Sequence, residues 1–336
     1  MATRQLFKAH PPPKQIISTS NLTSPPRTLL LTFDAFDTLF YPRPSVPEQY
    51  ASVAHKFGLS RTAVTPKKLT TAFKDNFRTQ ITQYPNYGRA DVLRGRYGGP
   101  RQWWEELIRN TFAQTLSTSK TSSKRQPKLP KRLVENLIDR FAGAKGYALY
   151  EDVAPFFAGM RELKAMRLRR FDRVVVGVIS NSDDRVPAVL KDLGLRVGDQ
   201  RADQDFLSMM LPGFEQRDYA DLDYDAAMGR YNGLHPDNDV DMVITSYEAG
   251  AEKPNRLIFD VAERQARKLV RQSGVPKDDH NEPWTRVHIG DDYYKDYVAA
   301  HNAGWQSYLL LRANMREKPP GTLNSLMDIF WELRLE

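Results

Sequence analysis

The sequence predicts an α/β protein: a three-layer, Rossmann-like core around a parallel sheet, interrupted by an inserted helical cap domain. Three observations carry this reading. Five short apolar runs, TLLLTF (28–33), RVVVGVI (173–179), VDMVIT (240–245), TRVHI (285–289) and WQSYLLL (305–311), are near-continuous in Val, Ile and Leu. Strands covered on both faces have that composition. Helical periodicity separates the later runs, and strand–helix alternation implies right-handed parallel crossovers. Residues 34–172 lie between the first two runs, far more chain than one crossover helix needs.

In chain order, the first strand at 28–33 is followed by helical patterns at 46–58, 65–84, 101–116 and 131–142, with the polar stretch TSKTSSKRQPK separating the last two. Further helices are expected at 155–169, 184–194, 254–272 and 294–303, between or after the remaining strands. Residues 196–239 are rich in Asp, Gly and Tyr, show little periodicity and read as an irregular insert. The expected division is a disordered or targeting tail at 1–27, a core from 28–43 and 150–336, and a cap at 44–149.

The 336 residues suit about two domains at ~150 residues each. A chain with 40% hydrophobic and 11% aromatic residues has the material for a packed core. No apolar run approaches the ~20 residues of a membrane helix. The absence of cysteine excludes disulfides, thiolate metal sites and a cysteine nucleophile, and is compatible with a reducing compartment. The net charge of +8 is localised. Arg4, Lys8, Lys14 and Arg27 meet no acid in the first 33 residues, and KTSSKRQPKLPKR (120–132) carries six basic residues and no acid. The basic segments 1–27 and 117–132 are therefore the candidate contacts for a protein or ribonucleoprotein partner, with plain solvated loops as the simpler alternative. Residues 1–27, with PPP and several Ser and Thr, cannot bury a core. Their acid-poor, basic character suits a mitochondrial presequence, but RQLFKAH is a short amphipathic stretch that Pro11 stops. Mitochondrial and cytoplasmic locations both stay open.

In an open parallel sheet, the loops at the carboxyl ends of the strands form the ligand crevice. The first strand ends in Asp34, Asp37 and Thr38, the second in Ser180 and Asn181, and the third in Thr245 and Ser246 with Lys253 in GAEKPN beyond. The fourth ends in Gly290, Asp291 and Asp292, with Asp296 a little further on. Singly, each acid reads as a helix cap or turn former and Lys253 as a surface lysine. Together they gather carboxylates, hydroxyls, an amide and an ammonium at one end of one sheet. That set suits phosphoryl transfer. A carboxylate held in line is a usable nucleophile, but it repels a phosphate unless a divalent cation lies between them. Mg²⁺ takes hard oxygen ligands and keeps several waters. Asp34, Asp291 and the backbone carbonyl of Phe36 are the candidate protein ligands, with Asp296 holding a water. Ser180 with nearby backbone N–H groups is placed to hold phosphate oxygens, and Lys253 to neutralise charge.

The stretches DAFDTL (34–39), VISNSDD (178–184), SYEAGAEKPNRLIF (246–259) and HIGDDYYKDYVAAHNAGW (288–305) resemble, in order, the four motifs of the haloacid dehalogenase-like hydrolase superfamily. The resemblance implies that Asp34 is the nucleophile, Ser180 the phosphate-binding hydroxyl, Lys253 the motif-three lysine, and Asp291 with Asp296 the metal site. It also implies a Mg²⁺ cofactor and a small phosphorylated substrate, with Thr38 and Asn181 expected on the substrate. The insertion resembles the helical cap of one branch. Tyr50, Trp103 and Trp104 fall in it, where aromatic residues at helical spacing are more often core than substrate contacts.

One residue departs from the pattern. Phosphatases of this superfamily carry a second Asp two positions after the nucleophile, the general acid and then base; here that position is Phe36. General acid–base catalysis contributes ~10²–10⁴-fold, so its loss predicts slow turnover. Asp37 is one residue later: on an extended backbone it points to the other side, whereas in a tight loop it could point anywhere and stand in for the missing acid. Dehalogenases of the superfamily also lack this acid but need no metal, and GDDYYKD (290–296) reads as a metal motif. Three readings follow: a slow Mg²⁺-dependent phosphohydrolase, a degenerate binding or structural subunit of a larger assembly, and a haloacid dehalogenase.

Overall fold

The computed structural model describes residues 27–117, 129–166, 170–202, 211–214, 234–273, 283–312 and 318–335. The tail before residue 27, most of the basic segment 117–132 and most of the insert at 196–239 lie outside the described residues.

Seven strands form one sheet in the order β5-β6-β4-β1-β7-β8-β9, with every described pairing parallel. They are β1 (Thr28–Phe33), β4 (Arg173–Ser180), β5 (Val197–Arg201), β6 (Val240–Thr245), β7 (Trp284–Gly290), β8 (Gln306–Leu310) and β9 (Thr322–Leu323). The apolar runs match β1, β4, β6, β7 and β8. All six residues of β1 are buried because the strand is covered on both faces. Leu29, Leu31 and Phe33 share one apolar layer with Phe156, Phe157, Val189 and Phe330, whereas Leu30 belongs to the opposite layer with Phe259, Ala262 and Trp305. The alternating side chains of a strand therefore feed two helical layers, and the run has no polar face to show.

The first layer is supplied by α6 (Val153–Ala165), α7 (Val186–Asp192) and α11 (Asp328–Glu332), the second by α9 (Leu257–Gln272) and α10 (Ala299–Asn302). The expected helix at 294–303 is an α-helix only in its last turn. It begins as a π-helical turn, Tyr293–Val298, whose first N–H groups are capped by the Asp292 side chain at Tyr294 and Lys295. The region read as an irregular insert from residue 196 opens with β5. Among the described residues this strand pairs only with β6, and its sequence VGDQR lacks an apolar run, so nothing in it announces a strand.

The insertion leaves and rejoins the core through a two-stranded antiparallel ribbon, β2 (Phe40–Pro42) against β3 (Tyr147–Leu149). Between these lie α1 (Val46–Lys56), α2 (Pro66–Gln83), α3 (Pro85–Val92), α4 (Pro100–Leu116) and α5 (Leu133–Arg140). Proline in the first turn of α1 to α4 suits the one place in a helix that needs no N–H. The helices bury their own core, including Tyr50, Leu69, Phe112 and Leu137, and a second cluster around Trp103. Tyr50 and Trp103 are core residues, 2% and 1% exposed. The sequence reading missed α3 because its first turn is left-handed: Asn86, Tyr87 and Gly88 have φ of 47°, 60° and 75°. Among the described residues, no helix is long and apolar enough to cross a membrane.

That left-handed turn fastens the insertion to the core. The Asn86 Nδ2 donates to the Ser246 carbonyl at 2.8 Å, and the Ser246 hydroxyl donates to Asn86 Oδ1 at 2.9 Å. Arg89 Nε donates to the Tyr247 carbonyl at 2.8 Å. Ser246 and Tyr247 belong to α8 (Ser246–Ala249), the single helical turn after β6. The insertion therefore sits over the carboxyl ends of the strands. Replacing Asn86 with Gly keeps the left-handed backbone accessible and removes both side-chain bonds, each worth about 1 kcal/mol. The expected result is faster amide exchange across 85–92 with β1 still protected, and a loss of about 1–2 kcal/mol in urea unfolding.

Candidate active site

The register of β1 decides where the first acid lands. Phe33 pairs with Val178 on one side and Ile289 on the other, so the next residue emerges between the ends of β4 and β7. Asp34 is tied there by its backbone N–H, which donates to the Ile289 carbonyl at 2.9 Å. A cavity of about 190 Å³ opens at this point and is bordered by Asp34, Phe36, Ser180, Asn181, Lys253, Asp291 and Asp296. The anticipated site residues thus converge, with the exception of Thr38.

Lys253 is 3% exposed and spends all three ammonium protons. It donates to Asp34 Oδ1 at 2.7 Å, to Asp296 Oδ1 at 2.5 Å and to the Ile179 carbonyl at 2.8 Å. Burial alone would lower its pKa, but Asp296 and Asp34 outweigh burial and raise it, so the ammonium stays charged. The two carboxylates it bridges are unequal. Burial pushes Asp34 up to about 7, a rise that Lys253 only partly offsets. Burial also penalises Asp296, yet Lys253 and His288 together hold it below the usual carboxylate range. Burial raises Asp291 to about 6, against a lowering hydrogen bond from Thr38.

Two expected substrate contacts have other duties. Thr38 is fully buried; its hydroxyl donates to Asp291 Oδ1 at 3.0 Å and accepts from the Asp291 N–H at 3.1 Å. It positions Asp291 and has no surface to offer a substrate. Asn181 borders the cavity, but its amide is occupied by the Lys253 backbone. Oδ1 accepts from the Lys253 N–H at 2.6 Å, and Nδ2 donates to the Lys253 carbonyl at 2.9 Å. It is a clamp on the lysine loop. In both cases sequence adjacency to the motif identified the residue and its direction decided the role.

Residues to which the sequence alone assigned no role complete the frame. His288, in the interior of β7, contacts Thr32 through Nδ1 at 2.9 Å and Asp296 through Nε2 at 3.2 Å. Burial lowers its pKa and so favours the neutral ring, against the Asp296 carboxylate. With Nε2–H donating to Asp296, Nδ1 is left to accept from the Thr32 hydroxyl, which also lies within donating distance of the Val287 carbonyl at 3.0 Å. Gly290 is required beside it, because a Cβ there would run into the Asp296 carboxylate. Arg312, just beyond β8, donates from Nε and Nη2 to the Thr38 carbonyl at 3.1 and 2.6 Å, and from Nη1 to Asp152 at 2.9 Å. The chain Asp152–Arg312–Thr38–Asp291 locks the first motif to the fourth. No local motif could have announced it, since Arg312 lies 160 residues from Asp152.

Phe36 offers no proton. Its half-buried ring stands edge-on to Phe40 at 4.8 Å and to Tyr147 at 5.8 Å. Asp37, also on the cavity wall, has a φ of 55° and is exposed.

The donor set fits a hard divalent cation. Asp34, Asp291 and Asp296 each present a carboxylate oxygen, and the three oxygens lie within 4.8 Å of one another. Lys253 engages one oxygen of Asp34 and Thr38 one oxygen of Asp291, so each carboxylate keeps a second. Asp296 is more committed: Oδ1 takes Lys253 and His288, and Oδ2 accepts from the Asp292 N–H at 3.0 Å. Three carboxylates facing one buried ammonium leave the pocket anionic.

The HAD-hydrolase-like family model matches residues 250–321, the segment that carries Lys253, Asp291 and Asp296. An uncharacterised protein of Saccharomyces cerevisiae is 28% identical over 291 residues, 85% of this chain and 72% of the yeast protein. The haloacid dehalogenase-like hydrolase domain-containing protein 3 of Danio rerio is 27% identical over 280 residues, 83% of this chain and 84% of its own. Among solved structures, the magnesium-bound HAD-hydrolase YfnB of Bacillus subtilis is 13% identical with a TM-score of 0.45, covering 92% of this chain and 99% of that one. Motif order, the family-model match over residues 250–321 and the relative from Danio rerio agree that the chain is similar to haloacid dehalogenase-like hydrolases.

Proposed function

We propose that the protein is a Mg²⁺-dependent phosphohydrolase that forms an aspartyl-phosphate on Asp34 and turns over slowly. The observation that carries this reading is the convergence of Asp34, Asp291 and Asp296 around the buried Lys253 ammonium. Asp34 and Asp291 would hold the cation directly, Asp296 through water, and the Phe36 carbonyl is the remaining oxygen ligand of choice. When bound, Mg²⁺ supplies the positive charge that lets a phosphate approach a carboxylate. The chain's own groups do the rest. Lys253 works against burial to favour the ionised form of Asp34 and orients the carboxylate, and Ser180 on the cavity wall would take a phosphate oxygen.

A second reading is favoured by one residue. Phe36 removes the proton relay, and a chain that has lost turnover would serve as a binding subunit, its partner met through the basic segments 1–27 and 117–132. Dehalogenation is the weakest of the three, because a cluster of three carboxylates is poorly suited to a carboxylate substrate without a cation.

Titration calorimetry with MgCl₂ is expected to give one site per chain, and Asp291→Ala to weaken it at least tenfold; unchanged affinity would remove Asp291 from the metal site. Asp34→Asn is expected to abolish phosphate release from a panel of small esters while the chain remains folded by circular dichroism. Persistent release would mean that another group is the nucleophile. Phe36→Asp restores an acid and is expected to raise hydrolysis of an alkyl phosphate by about 10²-fold or more. No gain in a folded, Mg²⁺-binding variant would locate the defect elsewhere.

A further inference from the structure

Phe36 is shared by two cavities. Besides the acidic one, it borders a second cavity of about 150 Å³ between the ribbon stem and the helices of the insertion. Tyr50, Phe73, Ile108, Phe141 and Tyr147 are among its other walls, and the lining is mainly apolar. Its charged neighbour, Arg185, is already neutralised. Asp183 grips the guanidinium through Nε and Nη2, each at 2.8 Å, and the rings of Trp104 and Phe214 lie 4.8 and 4.4 Å from its centre. Trp104 is itself fixed by a 2.8 Å bond from Nε1 to Asp183. This corner is a rigid wall and not a free anion site. An apolar cavity of about 150 Å³ stays dry and accepts a ligand the size of benzene.

The chemistry of Phe36 leads independently to the same class of ligand. With a phenylalanine where the general acid would stand, two residues after Asp34, the P–O bond breaks readily only if the leaving oxygen is stable as an anion. A phenol, with a pKa of about 10, meets that condition; an alkanol, close to water at about 15.7, does not. We propose, on the basis of the Asp34 reading above, that the substrate is a phosphate monoester of a phenol with a single compact ring, the ring seated in the apolar cavity against Phe36. An oxygen of Asp34 bonds to phosphorus as the bond from phosphorus to the phenolic oxygen breaks. The phenolate takes its proton from solvent. Water then attacks phosphorus, inorganic phosphate leaves and the Asp34 carboxylate is regenerated. With no base at residue 36, this second step is the slow one.

The test uses the full chain with Mg²⁺ and four esters: phenyl, 1-naphthyl, methyl and acetyl phosphate. Acetyl phosphate has a good leaving group and no ring, so it reports on Asp34 without the apolar cavity. Phenyl phosphate is expected to give a burst of phenol equal to the enzyme concentration, then a slow steady rate. Its kcat/KM is expected to exceed that of 1-naphthyl and methyl phosphate by at least about 100-fold. Equal rates for phenyl and 1-naphthyl phosphate, or for phenyl and methyl phosphate, would overturn the proposal. Phosphorylation of Asp34 by acetyl phosphate without any by phenyl phosphate would overturn it while the Asp34 reading stands. Failure of all four to phosphorylate the chain would bring down both.

Discussion

A single ammonium, buried between two carboxylates, is the constraint from which the site follows. Lys253 is expensive to bury and is tolerable only because Asp34, Asp296 and the Ile179 carbonyl take all its protons. Meeting that demand requires β1, β4 and β7 to end at the same level and the loop after β6 to reach back across them. The parallel sheet with β1 at its centre supplies the first condition, and the amide of Asn181 supplies the second. Each further support is a response to the charge so assembled: Thr38 on Asp291, His288 on Asp296, and Gly290 making room.

Most of the core could be read from composition, because a strand buried on both faces must be apolar along its length. The acid closing such a strand was the legible sign of a site, since a carboxylate is costly at that place unless other groups meet it. What escaped the sequence did so for identifiable reasons. β5 is a polar edge strand and β9 has two residues. The helix α3 starts in a left-handed turn that periodicity does not register. Thr38 and Asn181 stood in the correct motifs, but a motif gives a neighbourhood and not the direction of a side chain. Arg312 and Asp152 meet across the fold, and no local pattern encodes such a partnership.

The site combines well-supported carboxylates with a missing proton carrier. Asp152, Arg312 and Thr38 aim Asp291, and a buried histidine holds Asp296. The frame is intact around the one position that departs from the phosphatase pattern, and that position is filled by a ring packed against Phe40 and Tyr147. On the proposed reading, selectivity and rate would be coupled through one side chain, Phe36, which offers apolar surface where an acid would otherwise stand.

The ribbon that carries the insertion has a mechanical consequence. Its outgoing strand begins at Phe40, which also makes a backbone bridge with Phe36, and its returning strand brings Tyr147 against the same ring. Hinge and reaction centre are thus separated by only a few bonds. A tilt of the helical lobe would be geared directly to the aromatic ring two residues from Asp34, so any change in the lobe's position would also reset the packing beside that carboxylate.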